Sequence, residues 1–175
     1  MNLAEENSMR SIYLDKVVIN IGTGSASEDA ADNARTLIKK LTNHEAGYTF
    51  SKRRDPELKL RKGQKIGAVA TLRKKDAYDL LKRALDANNN QLGENAISRN
   101  SVNFGVKEYI YFAGVKYDPK IGILGMNINA AFARKGKRVE TRKRKRAKVP
   151  VKHRDIPREE ITKYLEEHFN VKIGQ

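Results

Sequence analysis

Gly47–Arg73, GYTFSKRRDPELKLRKGQKIGAVATLR, is the stretch on which the architecture turns. Its ends, Gly47–Ser51 and Ile66–Arg73, are short, rich in β-formers and read as two strands. Between them Lys52–Lys65 carries seven Lys/Arg against two acids, Asp55 and Glu57. Hairpin loops usually run about two to five residues, so this fourteen-residue connection is long. Long loops in compact domains are functional or disordered. The segment is either a solvated insertion or a finger that reaches an anionic partner.

Working outward, Ile12–Ile21 (IYLDKVVINI) is a strand by its β-branched content. If Val17, Ile19 and Ile21 face a core, Lys16, Val18 and Asn20 face away. Gly22-Thr23-Gly24 turns the chain, and Ser25-Ala26-Ser27-Glu28 fits a capping box. The helix it opens places Ala30, Ala34, Leu37, Ile38 and Leu41 on one face. A second helix, Lys74–Ala87, aligns Ala77, Tyr78, Leu81, Ala84 and Leu85. Asn88 to Ser101 reads as an irregular connection. Val102–Phe112 and Met126–Phe132 alternate as strands, and Gly114–Gly125 is rich in turn residues. Pro157 opens a last helix with Ile161, Leu165 and Phe169 on its apolar face.

Five strands with helices between them predict an α+β fold: a two-layer sandwich, mainly antiparallel sheet with helices on one face, forming a single domain over residues 1–175. The opposite sheet face then displays Lys16, Asn20, Thr71, Arg73, Asn127 and Asn129. It is either an ordinary solvated face or a surface that hydrogen-bonds ribose hydroxyls and base edges.

Charge narrows the partner. The net charge is +15, of which Lys52–Lys65 supplies +5 and Lys135–Arg154 (KGKRVETRKRKRAKVPVKHR) supplies +10. The other 141 residues balance at 18 bases and 18 acids. Excess charge focused in two patches points to a polyanion, nucleic acid first. An anionic membrane ranks behind, because neither patch is an amphipathic helix with a broad apolar face. Arg142–Arg146, RKRKR, reads as a localisation signal, a mobile tail or a docked phosphate-binding strip; the capped helix after it favours the strip. The chain has no cysteine, no apolar segment after Met1 and no run of membrane-spanning length, so a reducing, intracellular setting is expected.

Catalytic and cofactor signals are weak. Gly22-x-Gly24 lacks the third glycine of a dinucleotide fingerprint, with Ser27 in its place, and Glu28, Asp29 and Asp32 would repel a pyrophosphate there. His44, His153 and His168 are scattered, without carboxylates at ligand spacing. Asp118 precedes Pro119 and reads as a turn residue. No catalytic centre, metal or cofactor is expected.

Three segments carry a resemblance: Met9–Gly24 (MRSIYLDKVVINIGTG), Leu60–Arg73 (LRKGQKIGAVATLR) and Phe104–Met126 (FGVKEYIYFAGVKYDPKIGILGM). They resemble the large-subunit ribosomal protein L-five family, closest to its archaeal and eukaryotic branch, over nearly the whole chain. The resemblance implies a cytoplasmic, ribosomal protein that binds 5S rRNA and large-subunit rRNA in the central protuberance. It also implies a loop near P-site transfer RNA and contact with a small-subunit protein. Carried over by position, it puts 5S rRNA contacts on Lys16, Asn20, Arg61 and Thr71, with Arg73 beside them. His44 stands where the family has glutamine and is counted with these 5S rRNA contacts, because Asn43-His44-Glu45-Ala46 replaces Gly-Gln-x-Pro; Asn100-Ser101-Val102 replaces a Gly-Asn-aromatic turn.

The expected mechanism is phosphate neutralisation by the basic segments, with polar sheet-face residues fixing register. Lys52, Arg53, Arg54 and Lys59 are assigned to the transfer RNA side. Lys135, Lys137, Arg138, Arg142, Lys143, Arg144, Lys145, Arg146, Lys148, Lys152 and Arg154 are assigned to rRNA phosphates. The alternatives are an RNA-modifying enzyme, which would need a pocket of convergent titratable groups, and a free-standing DNA-binding module.

Overall fold

The computed structural model describes residues 8–25 and 28–174. Ala26 and Ser27 of the expected capping box, and Met1–Asn7, lie outside the described residues.

Strand β1, Ile12–Gly22, is followed by helix α1, Glu28–Thr42, and by strands β2, Gly47–Phe50, and β3, Lys65–Leu72. Helix α2, Lys74–Ala87, leads to the short strands β4, Gln91–Gly93, and β5, Ile97–Ser98, and then to β6, Ser101–Val106. After β7, Met126–Arg134, come two one-turn helices, α3, Arg138–Thr141, and α4, Val151–Arg154. Helix α5, Arg158–Phe169, and strand β8, Lys172–Gly174, complete the described chain. The main sheet runs β2-β3-β1-β7-β6-β5, and each neighbouring pair is antiparallel. A separate parallel pair joins β4 to β8.

Alternation explains which face is covered. Val17, Ile19 and Ile21 are fully buried, and each contributes about 1.5–3 kcal/mol by leaving water. Register shifts between Leu14 and Lys16, where Asp15 is the extra residue of a β-bulge. The bulge resets the alternation, so Leu14 and Val17, three apart, both pack on the core while Lys16 stays on the other face. Helix α1 packs over β3 and α2 over β1 and β7. Tyr78 of α2 meets Phe169 of α5 with ring centroids 4.6 Å apart, and Phe132 meets Tyr164 at 5.5 Å, which brings α5 into the core.

The structure corrects several details. Ala31 rather than Ala30 is buried on α1, and Leu80 joins the buried stripe of α2 while Tyr78 is half-buried. The strand expected to reach Phe112 stops at Val106; Tyr109–Tyr111 is a 3₁₀ turn. Three residues per turn bring Tyr109 and Phe112 onto one side, and both are buried. The connection expected to be irregular after Asn88 supplies β4 and β5.

The basic connection between β2 and β3 is not an open loop. Asp55 and Leu60 exchange backbone hydrogen bonds of 3.0 and 2.8 Å, and the Asp55 carboxylate accepts from the Glu57 and Leu58 N–H groups. Ser51 N–H donates to the Gln64 carbonyl at 2.9 Å, closing the base. The chain folds back as an arm extending the β2–β3 hairpin, because these turns satisfy its backbone locally.

Asp118 has a structural role. Its carboxylate accepts from Lys40 Nζ at 2.6 Å and from the Lys120 N–H at 3.0 Å, joining α1 to the turn that follows the 3₁₀ segment. The Lys40 hydrogen bond, followed by that of Lys120, holds the Asp118 carboxyl below its ordinary value. A lowered carboxyl stabilises the fold above its unfolded pKa, and the effect is lost as pH falls through the folded pKa. Lys40→Ala is therefore expected to lower stability near neutral pH and to approach the parent in acid, as pH falls through the folded Asp118 pKa. Urea unfolding of both proteins at neutral and at acid pH checks this.

Candidate nucleic-acid interface

The uncovered sheet face carries two polar rows set by strand register. Asn20 of β1 lies between Val69 of β3 and Asn127 of β7, and Asn127 lies beside Gly105 of β6. In the next row Thr71, Val18, Asn129 and Asn103 follow one another across β3, β1, β7 and β6. Asn129 Nδ2 donates to Asn103 Oδ1 at 2.9 Å, leaving further amide donors and acceptors facing outward. At Gly105 an added Cβ would stand 3.3 Å from Asn127 Oδ1, so glycine keeps the amide row open. A shallow hollow lined by Asn20, Asn103, Phe104, Gly105, Asn127 and Asn129 results.

Of the residues assigned to 5S rRNA, the structure brings Lys16, Asn20 and Thr71 to this face. Lys16 sits opposite Ala131, and among the described residues it has no ion-pair partner. Arg73 stands at the edge, in the N-cap position of α2, where its NH1 lies 3.3 Å from the Asp15 carboxylate. Arg61 is not beside Thr71: it lies in the arm before β3, and six residues of strand, roughly 20 Å, separate Lys65 from Thr71. His44 is on the helical side, its Nε2 3.1 Å from Asp76 at the start of α2. Asn103 belongs to the amide face although sequence reasoning did not place it there; its opposition to Val102 in the alternating run was the available signal.

The two basic segments are exposed but built differently. Lys52, Arg53, Arg54 and Lys59 stand out from the arm, near an exposed Leu58. The strip from Lys135 to Arg154 is tied down at several points. Lys137 Nζ reaches Asp15 at 2.7 Å, so one bulged carboxylate joins the strip to Arg73 and the sheet edge. Glu140 Oε1 accepts the Val149 N–H at 3.2 Å and lies 3.6 Å from Arg154. Ala147 N–H donates to the Val139 carbonyl at 3.2 Å. The strip is thus a docked surface, with Arg142, Lys143, Arg144, Lys145 and Arg146 all exposed along it. Arg138, Lys148 and Lys152 lie along the same strip.

Two acids in or beside α1 are engaged by neighbouring side chains. Asp32 is held below its ordinary value by the Tyr48 hydroxyl and then by Lys65, and Glu45 by Lys39 and Arg35. Both sit with α1 and β2, away from the amide rows. The Gly22-Thr23-Gly24 turn uses its N–H groups internally: Thr23 and Gly24 both donate to the Ile66 carbonyl, at 2.9 and 3.2 Å. Among the described residues no cluster of metal-ligating side chains occurs, and no helix is long and apolar enough to cross a membrane.

Comparison with known proteins identifies the family. A family model described as the C-terminus of the ribosomal L5 protein family matches residues 65–161. The large ribosomal subunit protein uL5 of Picrophilus torridus is 45% identical over 170 residues, covering 96% of this chain and 96% of that protein. That of Sulfolobus acidocaldarius is 39% identical over 170 residues, covering 97% and 94%. That of Sulfurisphaera tokodaii is 39% identical over 168 residues, covering 95% and 94%. With more than half of the chain matched by the family model and such relatives matched over nearly their full length, the chain belongs to the ribosomal L5 protein family.

Proposed function

We propose that this chain, a structural component of the large ribosomal subunit and not an enzyme, acts as a single RNA-binding domain with three divided tasks. The amide rows of the open sheet face read 5S rRNA. The docked strip neutralises phosphates of large-subunit rRNA. The arm serves a third partner, P-site transfer RNA, on the small-subunit side of the cytoplasmic ribosome. The observation that carries the reading is the uncovered sheet itself. Asn20, Asn127, Asn129, Asn103 and Thr71 lie in two cross-strand rows with cations at the edge. Amides present donors and acceptors to ribose hydroxyls and base edges, while the edge cations fix the backbone. Arg61 joins the arm's task in this reading, and His44, paired with Asp76, is a structural residue rather than an RNA contact.

The test compares two variants in 5S rRNA binding. Asn20→Ala combined with Thr71→Ala is expected to weaken binding by about tenfold or more, at about 1 kcal/mol per missing hydrogen bond, with an unchanged melting temperature. Neutralising Lys52, Arg53 and Arg54 to glutamine is expected to spare 5S rRNA binding and to impair transfer-RNA-dependent steps in reconstituted ribosomes. Full 5S rRNA affinity in the first variant, or its loss in the second, reverses the assignment.

A further inference from the structure

A cavity of about 470 Å³ opens between the end of β7 and the basic strip. Its size falls within the roughly 300–1,000 Å³ of small-molecule sites. Val139 and Val149, from the two limbs of the strip, supply accessible apolar lining, with the nearly buried Phe132 and Ala133 of β7 behind them. The rim is cationic. Among the described residues the Arg10 and Lys135 side chains have no ion-pair partner, whereas Lys137 and Arg154 are engaged with Asp15 and Glu140. Glu140 stands in the wall, fixed by the Val149 N–H and Arg154.

This combination does not suit a phosphate alone, which gains nothing from an apolar lining and is repelled by Glu140. It suits a ligand with a flat apolar body, an anionic group at one end and an amino group at another. We infer that the cavity receives one extruded nucleotide of large-subunit rRNA. Its base packs between Val139 and Val149, its phosphate meets Lys135 and Arg10, and its exocyclic amino group donates to Glu140. Adenine, cytosine and guanine carry that amino group, whereas uracil offers only its ring N3–H, so Glu140 favours the amino-bearing bases over uridine. The nucleotide comes from a loop or bulge, where leaving the stack is least unfavourable. This inference rests on the rRNA-binding reading and adds a site to it.

The experiment titrates the ¹⁵N-labelled full chain with AMP, GMP, CMP, UMP and inorganic phosphate. Saturable amide shifts at Ala133, Gly136 and Val149 are expected with the amino-bearing nucleotides. UMP is expected to bind about fivefold more weakly or worse, the lower bound of one good base-edge contact. Val139→Trp, which fills the cavity, is expected to abolish these shifts; Val149→Phe serves the same purpose from the opposite limb should the first variant fail to fold. The same shifts with phosphate, equal binding of UMP, or persistence in the filled variants overturns the inference. Binding of 5S and large-subunit rRNA by the same samples separates the two levels: RNA binding without nucleotide shifts removes the cavity site alone. Loss of all RNA binding removes the reading beneath it.

Discussion

Replacing Arg142, Lys143, Arg144, Lys145 and Arg146 together with glutamine is expected to reduce affinity for large-subunit rRNA on the order of a hundredfold or more at moderate salt. It should also flatten the salt dependence, by about 0.7–0.9 of a log–log unit for each phosphate that is no longer neutralised. The physical basis is counterion release: each neutralised phosphate frees a condensed cation, so the slope counts phosphates engaged. The five residues hold half of a segment whose net charge is +10, and all five are exposed. Within the protein, Arg142 Nε donates to the Lys145 carbonyl at 2.8 Å, and Lys145 has a left-handed backbone. The anchors of the strip lie elsewhere, at Lys137 with Asp15 and at Glu140 with Val149 and Arg154. The folded state is therefore expected to survive, with the thermal midpoint changed by no more than a few degrees. Affinity measured between about 50 and 300 mM salt gives the slope directly. A slope equal to that of the parent would mean that the strip does not touch phosphates.

A mobile tail of the same composition would give a similar slope, and the anchors decide between the two. Asp15 and Glu140 are acids placed among cations, where a purely electrostatic tail would have none. Each fixes the backbone of the strip relative to the sheet or to itself, so its charges are presented with part of their ordering already complete. The bulge at Asp15 also resets the alternation of β1, so the same extra residue positions Lys16 and secures Lys137.

Much of this arrangement was legible in the sequence. The period-two pattern of Val17, Ile19 and Ile21 sets the covered and uncovered faces, and Asn20, Thr71, Asn127 and Asn129 fall on the uncovered one as alternation requires. Alternation is local, which is why it is readable. Proximity between separate segments is not. Arg61 and Thr71 share a strand–arm unit in sequence but stand at its two ends, and His44 is drawn to the helical layer by Asp76. The β-branched and aromatic run to Phe112 looked like continuous strand because its composition fits one. The 3₁₀ turn wins because it buries Tyr109 and Phe112 together, which an extended chain could not do on one face at that spacing. The arm carried the right charge in sequence but not its backbone pairing, since the Asp55–Leu60 exchange depends on one turn of suitable geometry.

Gly67→Ala is expected to be the most damaging small substitution in the sheet. Gly67 lies in β3, opposite Gly22 of β1 on one side and Thr49 of β2 on the other. A Cβ added there would stand 2.2 Å from the Ile21 carbonyl oxygen, 3.2 Å from Gly22 Cα and 3.1 Å from Thr49 Oγ1. The first two are backbone atoms, so no rotamer change relieves the clash, and β1 and β3 must separate. Overpacking of this kind costs about 3 kcal/mol, the upper part of its usual range, because the obstacle is rigid. For a chain of this size that corresponds to a fall of roughly 6–12 °C in the thermal midpoint. Gly93→Ala is the control: nothing lies within 4 Å of its added Cβ, and the midpoint should barely move. The displacement would also act on function, because Gly67 sits between the arm's return at Lys65 and the row holding Asn20 and Val69. Weakened 5S rRNA binding in a folded Gly67→Ala protein, with the strip's salt slope retained, would separate the sheet face from the strip. A thermal midpoint within a degree or two of the parent would instead show that the close approach of β1 to β3 is not what holds this part of the sheet together.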